Sequence, residues 1–301
     1  MTLKIWPVTE SFAAEVDGVD LSQPLDADTV EEIKQAFWQY AVLVFPDQEL
    51  TQDQHVDFAR HIGPLEESIA RHRKDIKPRL RLDLADVSNL NDREEILEED
   101  HRLRQFQLGN RLWHTDSSFK FVPGRASLLY GRAVPPAGGR TEFADERAAW
   151  DALDAATQAK LDGLIAEHCI RYSRMRMGFD NFSEEEIRQM PPVPQVLVRT
   201  IPETGRKNLY LASHALKIVG MEDEAAKQLI DDLIAHATQR QFVYSHRWRA
   251  NDLVMWDNRC TMHRGTPFDD LVYKRDVQRA TVAEPANSVE MAGLPLPGIA
   301  A

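Results

Sequence analysis

Cysteine is scarce: Cys169 and Cys260 are the only two in 301 residues. Two thiols make no disulfide framework, so both are expected as small buried apolar side chains in a reducing compartment. No apolar run approaches the ~18 residues of a membrane span, and Met1-Thr2-Leu3-Lys4-Ile5-Trp6 lacks the apolar region of a signal peptide. A cytoplasmic location with no membrane partner is therefore expected. Positive charge is in deficit: 36 Lys and Arg against 48 Asp and Glu leave a net charge of −12, which argues against nucleic acid as a partner. A small anionic substrate is still admissible, since a few arginines dominate the field inside a cleft. Internal repeats and low-complexity segments are absent. The 43% hydrophobic content supplies a core, and the length suits one β-rich enzyme domain.

The periodic segments outline that domain. Asp28-Thr29-Val30-Glu31 is a capping-box pattern with Asp28 as N-cap, and Val30, Ile33, Phe37 and Tyr40 follow at helical spacing. Ala41-Val42-Leu43-Val44-Phe45 reads as a strand. Thr51-Gln52-Asp53-Gln54 opens a second helix to about Ile62, which Gly63-Pro64 stops. Residues 69–107 are polar, with a basic stretch (Arg71, Arg73, Lys74, Lys77, Arg79, Arg81), an acidic one over 94–100 and a strand candidate near 82–90. Such a segment is a solvated surface loop or a mobile lid over a site.

Farther on, residues 127–134 read as a strand, 145–153 and 156–165 as helices, and 196–200 with 208–212 as a hairpin around Glu203-Thr204-Gly205. A helix over 222–236 precedes strands at 242–248, 253–258 and 276–282. Strands in two groups with a helical insert between them predict a mainly β fold with flanking helices. Its core would be a double-stranded β-helix, a cupin-like jelly roll. One domain over residues 1–284 with a flexible tail over 285–301 is expected.

The chemistry gathers around Trp113-His114-Thr115-Asp116 and a distant His263. Side chains at i and i+2 of an extended strand project to one side, so one metal can collect His114 and Asp116. Two imidazoles and a carboxylate are the ligand set of a non-haem Fe(II) facial triad with three positions open. Zn(II) accepts similar ligands, so a zinc hydrolase is the chemical rival. Arg275 and Arg279, four residues apart, would share a strand face. Guanidinium groups bind carboxylates bidentately. Two such groups beside a metal suggest an oxo-acid cosubstrate and an anionic substrate, which favours the oxygenase.

Four blocks carry a resemblance to a known family. They are Asn110-Arg111-Leu112-Trp113-His114-Thr115-Asp116-Ser117-Ser118-Phe119, Gly138-Gly139-Arg140-Thr141-Glu142-Phe143, Asp252-Leu253-Val254-Met255-Trp256-Asp257-Asn258-Arg259 and Arg275-x-x-x-Arg279-Ala280-Thr281. With them the chain resembles the taurine/2,4-dichlorophenoxyacetate dioxygenase family of Fe(II)- and α-ketoglutarate-dependent oxygenases, from about residue 5 to residue 284. The run from Trp113 to Phe119, Gly205-Arg206-Lys207 and His246-Arg247-Trp248 look closest to the aryloxyacetate-cleaving branch.

The resemblance implies Fe(II) on His114, Asp116 and His263, with α-ketoglutarate and O₂ as cosubstrates. It carries Arg275 and Thr141 to the distal carboxylate of α-ketoglutarate, with Lys274 the alternative in register. It sets Trp256 near the cosubstrate, Arg279 on the substrate's acidic group and Asn110 facing the substrate. His214 and His246 would touch the aryl part of the substrate or serve as structural histidines. A homo-oligomer would be usual. The implied reaction hydroxylates the carbon between ether oxygen and carboxylate, giving a phenol and glyoxylate with succinate and CO₂. The alternatives are the same chemistry on a sulfonate or another small carboxylate, and a metal-bearing cupin-like protein without catalysis.

Overall fold

Four neighbouring strands set the architecture: Val42–Phe45, Leu253–Asp257, Gly124–Ala133 and Asp276–Ala283 lie side by side, antiparallel, in the middle of a seven-stranded sheet. The computed structural model describes residues 3–66 and 78–298. Lys4–Pro7 and Ala14–Asp17 extend the sheet at one edge, the latter parallel to Val42–Phe45, and Ala85–Asp86 closes the other.

Alternation along these strands sorts the apolar side chains between two cores. Leu43, Phe45, Leu128, Tyr130, Leu253, Met255, Ala280 and Val282 face the helices Ala27–Tyr40 and Gln52–Ile62, which contribute Ile33, Phe37, Val56 and Phe58. Burying each such phenylalanine contributes about 1.5–3 kcal/mol. Val42, Val44, Leu129, Val254, Trp256 and Val277 face the other way and meet Phe143. Phe143 belongs to a three-stranded antiparallel sheet, with Thr141–Asp145 between Val243–His246 and Thr261–Gly265. On the far side of that small sheet, Ala144 and Met262 pack with Trp150, Leu161, Ile230 and Leu233. These four come from the helices Glu146–Asp151, Ala155–Leu161 and Asp223–Ala237. Helices therefore cover the outer faces of a large and a small sheet that share one inner core.

Several boundaries differ from the sequence expectation for local reasons. The first helix is capped by Asp26, whose side chain accepts from the Thr29 backbone, so Asp28 sits inside the first turn. The helix expected over 156–165 stops at Leu161; Gly163 takes φ +82° and Ile165–His168 becomes a strand of a further three-stranded sheet. The strand candidate at 82–90 shrinks to Ala85–Asp86. There Arg79 binds Asp86 and Asp276, tying the polar segment to the large sheet. A helix over Arg102–Gln107 was not foreseen in that segment. Arg71, Arg73, Lys74 and Lys77, of the segment read as a surface loop or a lid, lie outside the described residues.

The segment after Glu284 is not loose at its start. Asn287 caps the helix Ser288–Met291 and donates to the Phe121 and Pro194 carbonyls, while Val289 is fully buried. Among the described residues, no helix is long and apolar enough to cross a membrane.

Candidate metal and anion site

His114 lies just outside the small sheet but is joined to it by a single antiparallel bridge to His263. The two residues exchange both backbone hydrogen bonds, at 3.0 and 2.8 Å, the close pairing that sets side chains abreast. Their rings stand 4.2 Å apart. Asp116, two residues on, reaches the same point, with carboxylate oxygens 3.7 Å from Nε2 of His114 and of His263. One ligating atom from each of the three side chains lies within 4.8 Å of the others.

The state of each group suits a cation. Nδ1 of His114 donates to the Leu112 carbonyl at 2.7 Å, which leaves the Nε2 lone pair facing Asp116. Burial holds His114 down at about 4 and His263 well below its ordinary value, so both imidazoles are neutral at physiological pH. Burial alone would raise Asp116, but Arg279 and the two histidines outweigh it and bring its carboxyl to about 2. Two neutral imidazoles and one ionised carboxylate, gathered within bonding reach of one point, fit Fe(II).

Asp116 is held from three sides. Ser127 Oγ donates to Oδ2 at 2.7 Å, Arg279 Nη1 donates to Oδ1 at 2.5 Å, and its own backbone N–H reaches Asn258 Oδ1 at 3.3 Å. Asn258 also donates to Ser127 and accepts from the Trp256 indole. Trp256 is thus committed to Asn258 through its N–H, and its buried ring lies 4.6 Å from His263. It stands behind a ligand rather than presenting its polar edge to the site. Ser127 is not among the sequence candidates and Asn258 enters them only within the block Asp252–Arg259, with no role; inward parity with Leu129 along the strand is the available signal for Ser127.

Arg275, Val277 and Arg279 share one face of the strand region, and Val277 is in the inner core. Arg275 stacks over Trp248 at 5.9 Å, and the Trp248 indole donates to Thr141 Oγ1 at 3.0 Å. Gly131 makes room for that indole: a Cβ there would sit 3.1 Å from its ring. Arg275 has no carboxylate partner among the described residues, and burial lowers its pKa to about 10. Lys274 is exposed. Asn89 donates to the Asp270 and Tyr273 carbonyls and accepts from the Arg275 N–H, so the loop before the strand is clamped. Trp248 belongs to the run His246-Arg247-Trp248, and its link between Thr141 and Arg275 is made only by the fold.

Asn110 stands on the turn Leu108–Arg111 before His114. His214 is buried with its ring 5.7 Å from His114 and 5.0 Å from Phe119, and its Nδ1 meets Ser173 Oγ. His246 is buried between Tyr244 and Trp248, with Nε2 3.0 Å from Asp252. The structure therefore brings His114, Asp116, His263, Arg279 and Trp256 together, groups Arg275 with Thr141, and sets His246 against Asp252 and Tyr244.

Two imidazoles and a carboxylate beside strand-borne arginines define a metal-dependent oxygenase of the kind that consumes a 2-oxo acid. The family model for "Taurine catabolism dioxygenase TauD, TfdA family" matches residues 4–281. The chain belongs to that family, and with it to the α-ketoglutarate-dependent dioxygenases that use Fe(II) and O₂.

It is 42% identical over 280 residues to the α-ketoglutarate-dependent 2,4-dichlorophenoxyacetate dioxygenase of Cupriavidus pinatubonensis, covering 93% of this chain and 97% of that one. It is 36% identical over 297 residues to the (S)-phenoxypropionate/α-ketoglutarate dioxygenase of Sphingobium herbicidovorans, covering 96% and 98%. The crystal structure of AAD-2 in complex with Mn(II) and N-oxalylglycine superposes with a TM-score of 0.88 at 45% identity, covering 96% of this chain and 99% of that one.

Proposed function

We propose that this dioxygenase hydroxylates the carbon between the ether oxygen and the carboxylate of an aryloxyacetate such as 2,4-dichlorophenoxyacetate. The observation that carries the reading is Arg279, a strand-borne guanidinium against Asp116 at the metal site, in a chain over 40% identical to an aryloxyacetate dioxygenase. His114, Asp116 and His263 would hold the metal. Arg275 and the Thr141 hydroxyl would take the distal carboxylate of α-ketoglutarate. The Thr141 oxygen already accepts from Trp248, so its own proton is free to donate outward.

Arg279 and Asn110 would grip the acid of the substrate and so set its neighbouring CH₂ toward the His114, Asp116 and His263 cluster. Trp256 would keep the His263 ring fixed. Fe(II) in this site supplies activation of O₂, coupled to decarboxylation of α-ketoglutarate to succinate and CO₂. The chain's own share is placement: one carboxylate per arginine, and a buried imidazole pair that stays neutral. The second oxygen atom enters the substrate C–H bond as a hydroxyl. The resulting hemiacetal breaks its C–O bond to the aryl oxygen, which takes the hydroxyl proton, and leaves phenol and glyoxylate.

We further read the two sheets around one core as the double-stranded β-helix that the family resemblance implies, in a single domain over residues 1–284. A homo-oligomer in the cytoplasm, where two buried free thiols and Fe(II) both persist, completes the reading.

The test is anaerobic reconstitution with Fe(II) and α-ketoglutarate, then oxygen uptake with and without 2,4-dichlorophenoxyacetate. Substrate-stimulated uptake matched by phenol release is expected. Uptake only with a sulfonate, with sulfite released, would move the substrate to the taurine side of the family. No uptake with any acid would sink the enzymatic reading.

A further inference from the structure

A third guanidinium stands at the site, and none of the roles above uses it. Arg174 lies on the helix Ile170–Arg176, in the insert between the two groups of strands, and is only 4% exposed. It has no carboxylate partner among the described residues, and burial brings its pKa down to about 10. Its surroundings hold it all the same. Nη2 donates to Asn110 Oδ1 at 2.9 Å, Nη1 donates to Ser173 Oγ at 3.1 Å, and the guanidinium carbon lies 4.5 Å from the centre of the Phe106 ring. Nε is buried without a hydrogen-bond partner. The backbone yields to it at Gly109, where a Cβ would fall within 2.7 Å of Cζ. A buried cation without a counterion is costly unless its protons are used.

The use is legible in the donor inventory. A guanidinium carries donors only, so the oxygen of the Asn110 amide must face Arg174. The amide cannot flip without turning N–H toward N–H. Nδ2 of Asn110 is left pointing away from Arg174, and it donates to nothing among the described residues. Asn110 lies four residues before His114, and its backbone carbonyl is against Gly265, two residues after His263. Ser173, the other acceptor, is the group that meets His214 at 2.9 Å, so one helix turn braces both flanks of the approach to His114.

We propose that Arg174 is a positioning residue for the substrate's acid: it locks the Asn110 amide so that Nδ2, not the oxygen, is offered beside Arg279. The site then presents a charged fork and a neutral N–H₂ to one anionic group, and rejects a substrate that would donate there. This rests on the reading of Asn110 and Arg279 as the substrate-contacting pair.

The experiment is a double-mutant cycle of Arg174→Met and Asn110→Ala. It is read by calorimetric binding of 2,4-dichlorophenoxyacetate to protein loaded with Mn(II) and the unreactive N-oxalylglycine. Each single change should weaken binding about tenfold, and the double change should cost no more than either alone. Affinity for N-oxalylglycine should not move. Arg174→Lys should recover part of the loss. Gly109→Ala, which displaces the guanidinium from the other side, should behave as Arg174→Met.

Wild-type affinity in Arg174→Met, or losses that multiply in the double variant, would overturn the proposal; the second result would show a direct effect of charge. If the wild type binds a sulfonate and no aryloxyacetate, the substrate reading falls alone and the same cycle, run on the sulfonate, decides this one. If it binds no carboxylate and no sulfonate, both fall.

Discussion

Replacing Arg275 by Met should loosen α-ketoglutarate and at the same time stabilise the protein without its ligands. Burial lowers this guanidinium from its ordinary value to about 10, with no carboxylate among the described residues to offset it. Fully expressed at neutral pH, that difference is a charge-burial cost of ~3 kcal/mol. The side chain keeps some contact with solvent, which reduces the figure to ~1–2 kcal/mol. Met keeps the length and packs on Trp248, so most of that cost should return as stability.

The ligand loses the opposite way. A paired, charge-assisted contact to a carboxylate contributes ~3 kcal/mol, so the dissociation constant for α-ketoglutarate should rise roughly 100-fold. The assays are urea unfolding of the metal-free protein and calorimetric titration of α-ketoglutarate into the Mn(II) form. Lys274→Ala, exposed one residue away, is the control and should change neither. A destabilised Arg275→Met that binds α-ketoglutarate normally would refute the reasoning, since Arg275 would then be a structural cation.

Arg279→Ala should raise KM for the acid substrate ~100-fold while that for α-ketoglutarate changes little; the reverse pattern in steady-state kinetics would exchange the two arginines. Ser127→Ala removes the 2.7 Å donor to Asp116 and should weaken Mn(II) binding ~10-fold by calorimetry, and unchanged affinity would mean Arg279 alone holds the carboxylate. Glu146→Gln addresses pH. Burial pushes Glu146 well above 4.5, so its folded pKa exceeds its unfolded one. Its contribution is full below 4.5 and is lost as pH rises through the folded value. The glutamine variant lacks that loss and should gain on the wild type as pH rises above 4.5 in urea unfolding; parallel stability curves would show that Glu146 is not held protonated.

The parts of this molecule that were legible in the sequence are those with short-range signatures. The short apolar runs Val42–Phe45 and Leu253–Asp257 and the Thr51–Gln54 capping box declare themselves within a few residues. His-x-Asp offers a candidate ligand pair for the same reason. What pairs across the chain was not legible. Nothing near Ser127 says that its hydroxyl meets Asp116, because the contact is made between a strand and the turn that follows His114, brought together only by the fold. Asp26 outcompetes Asp28 as a cap although both are plausible from composition, since the choice depends on where the preceding chain leaves its extended conformation. Arg174 was invisible because an arginine in a short polar helix reads as surface. Only the neighbouring glycine, whose missing side chain makes the space, hints otherwise.

Charge ties these residues into one argument. The chain as a whole carries −12, yet the site sets Arg174, Arg275 and Arg279 against a single carboxylate, Asp116. Elsewhere the buried arginines come with their own acids: Arg147 with Asp145, Arg259 with Asp257 and Glu203, and Arg199 with Glu284. Those pairs neutralise themselves and ask nothing of a ligand. The excess is therefore local to the metal site and is not a property of the fold. A divalent cation increases it further, so the site is balanced only by ligands that arrive with negative charge. On the proposed reading a dicarboxylate and a monoanionic acid would meet that demand in different places, one beside Thr141 and Trp248, the other beside Asn110. A net charge of −12 gives no long-range attraction to either, so selection falls to contacts made inside, where the proposed orientation of a single amide would matter.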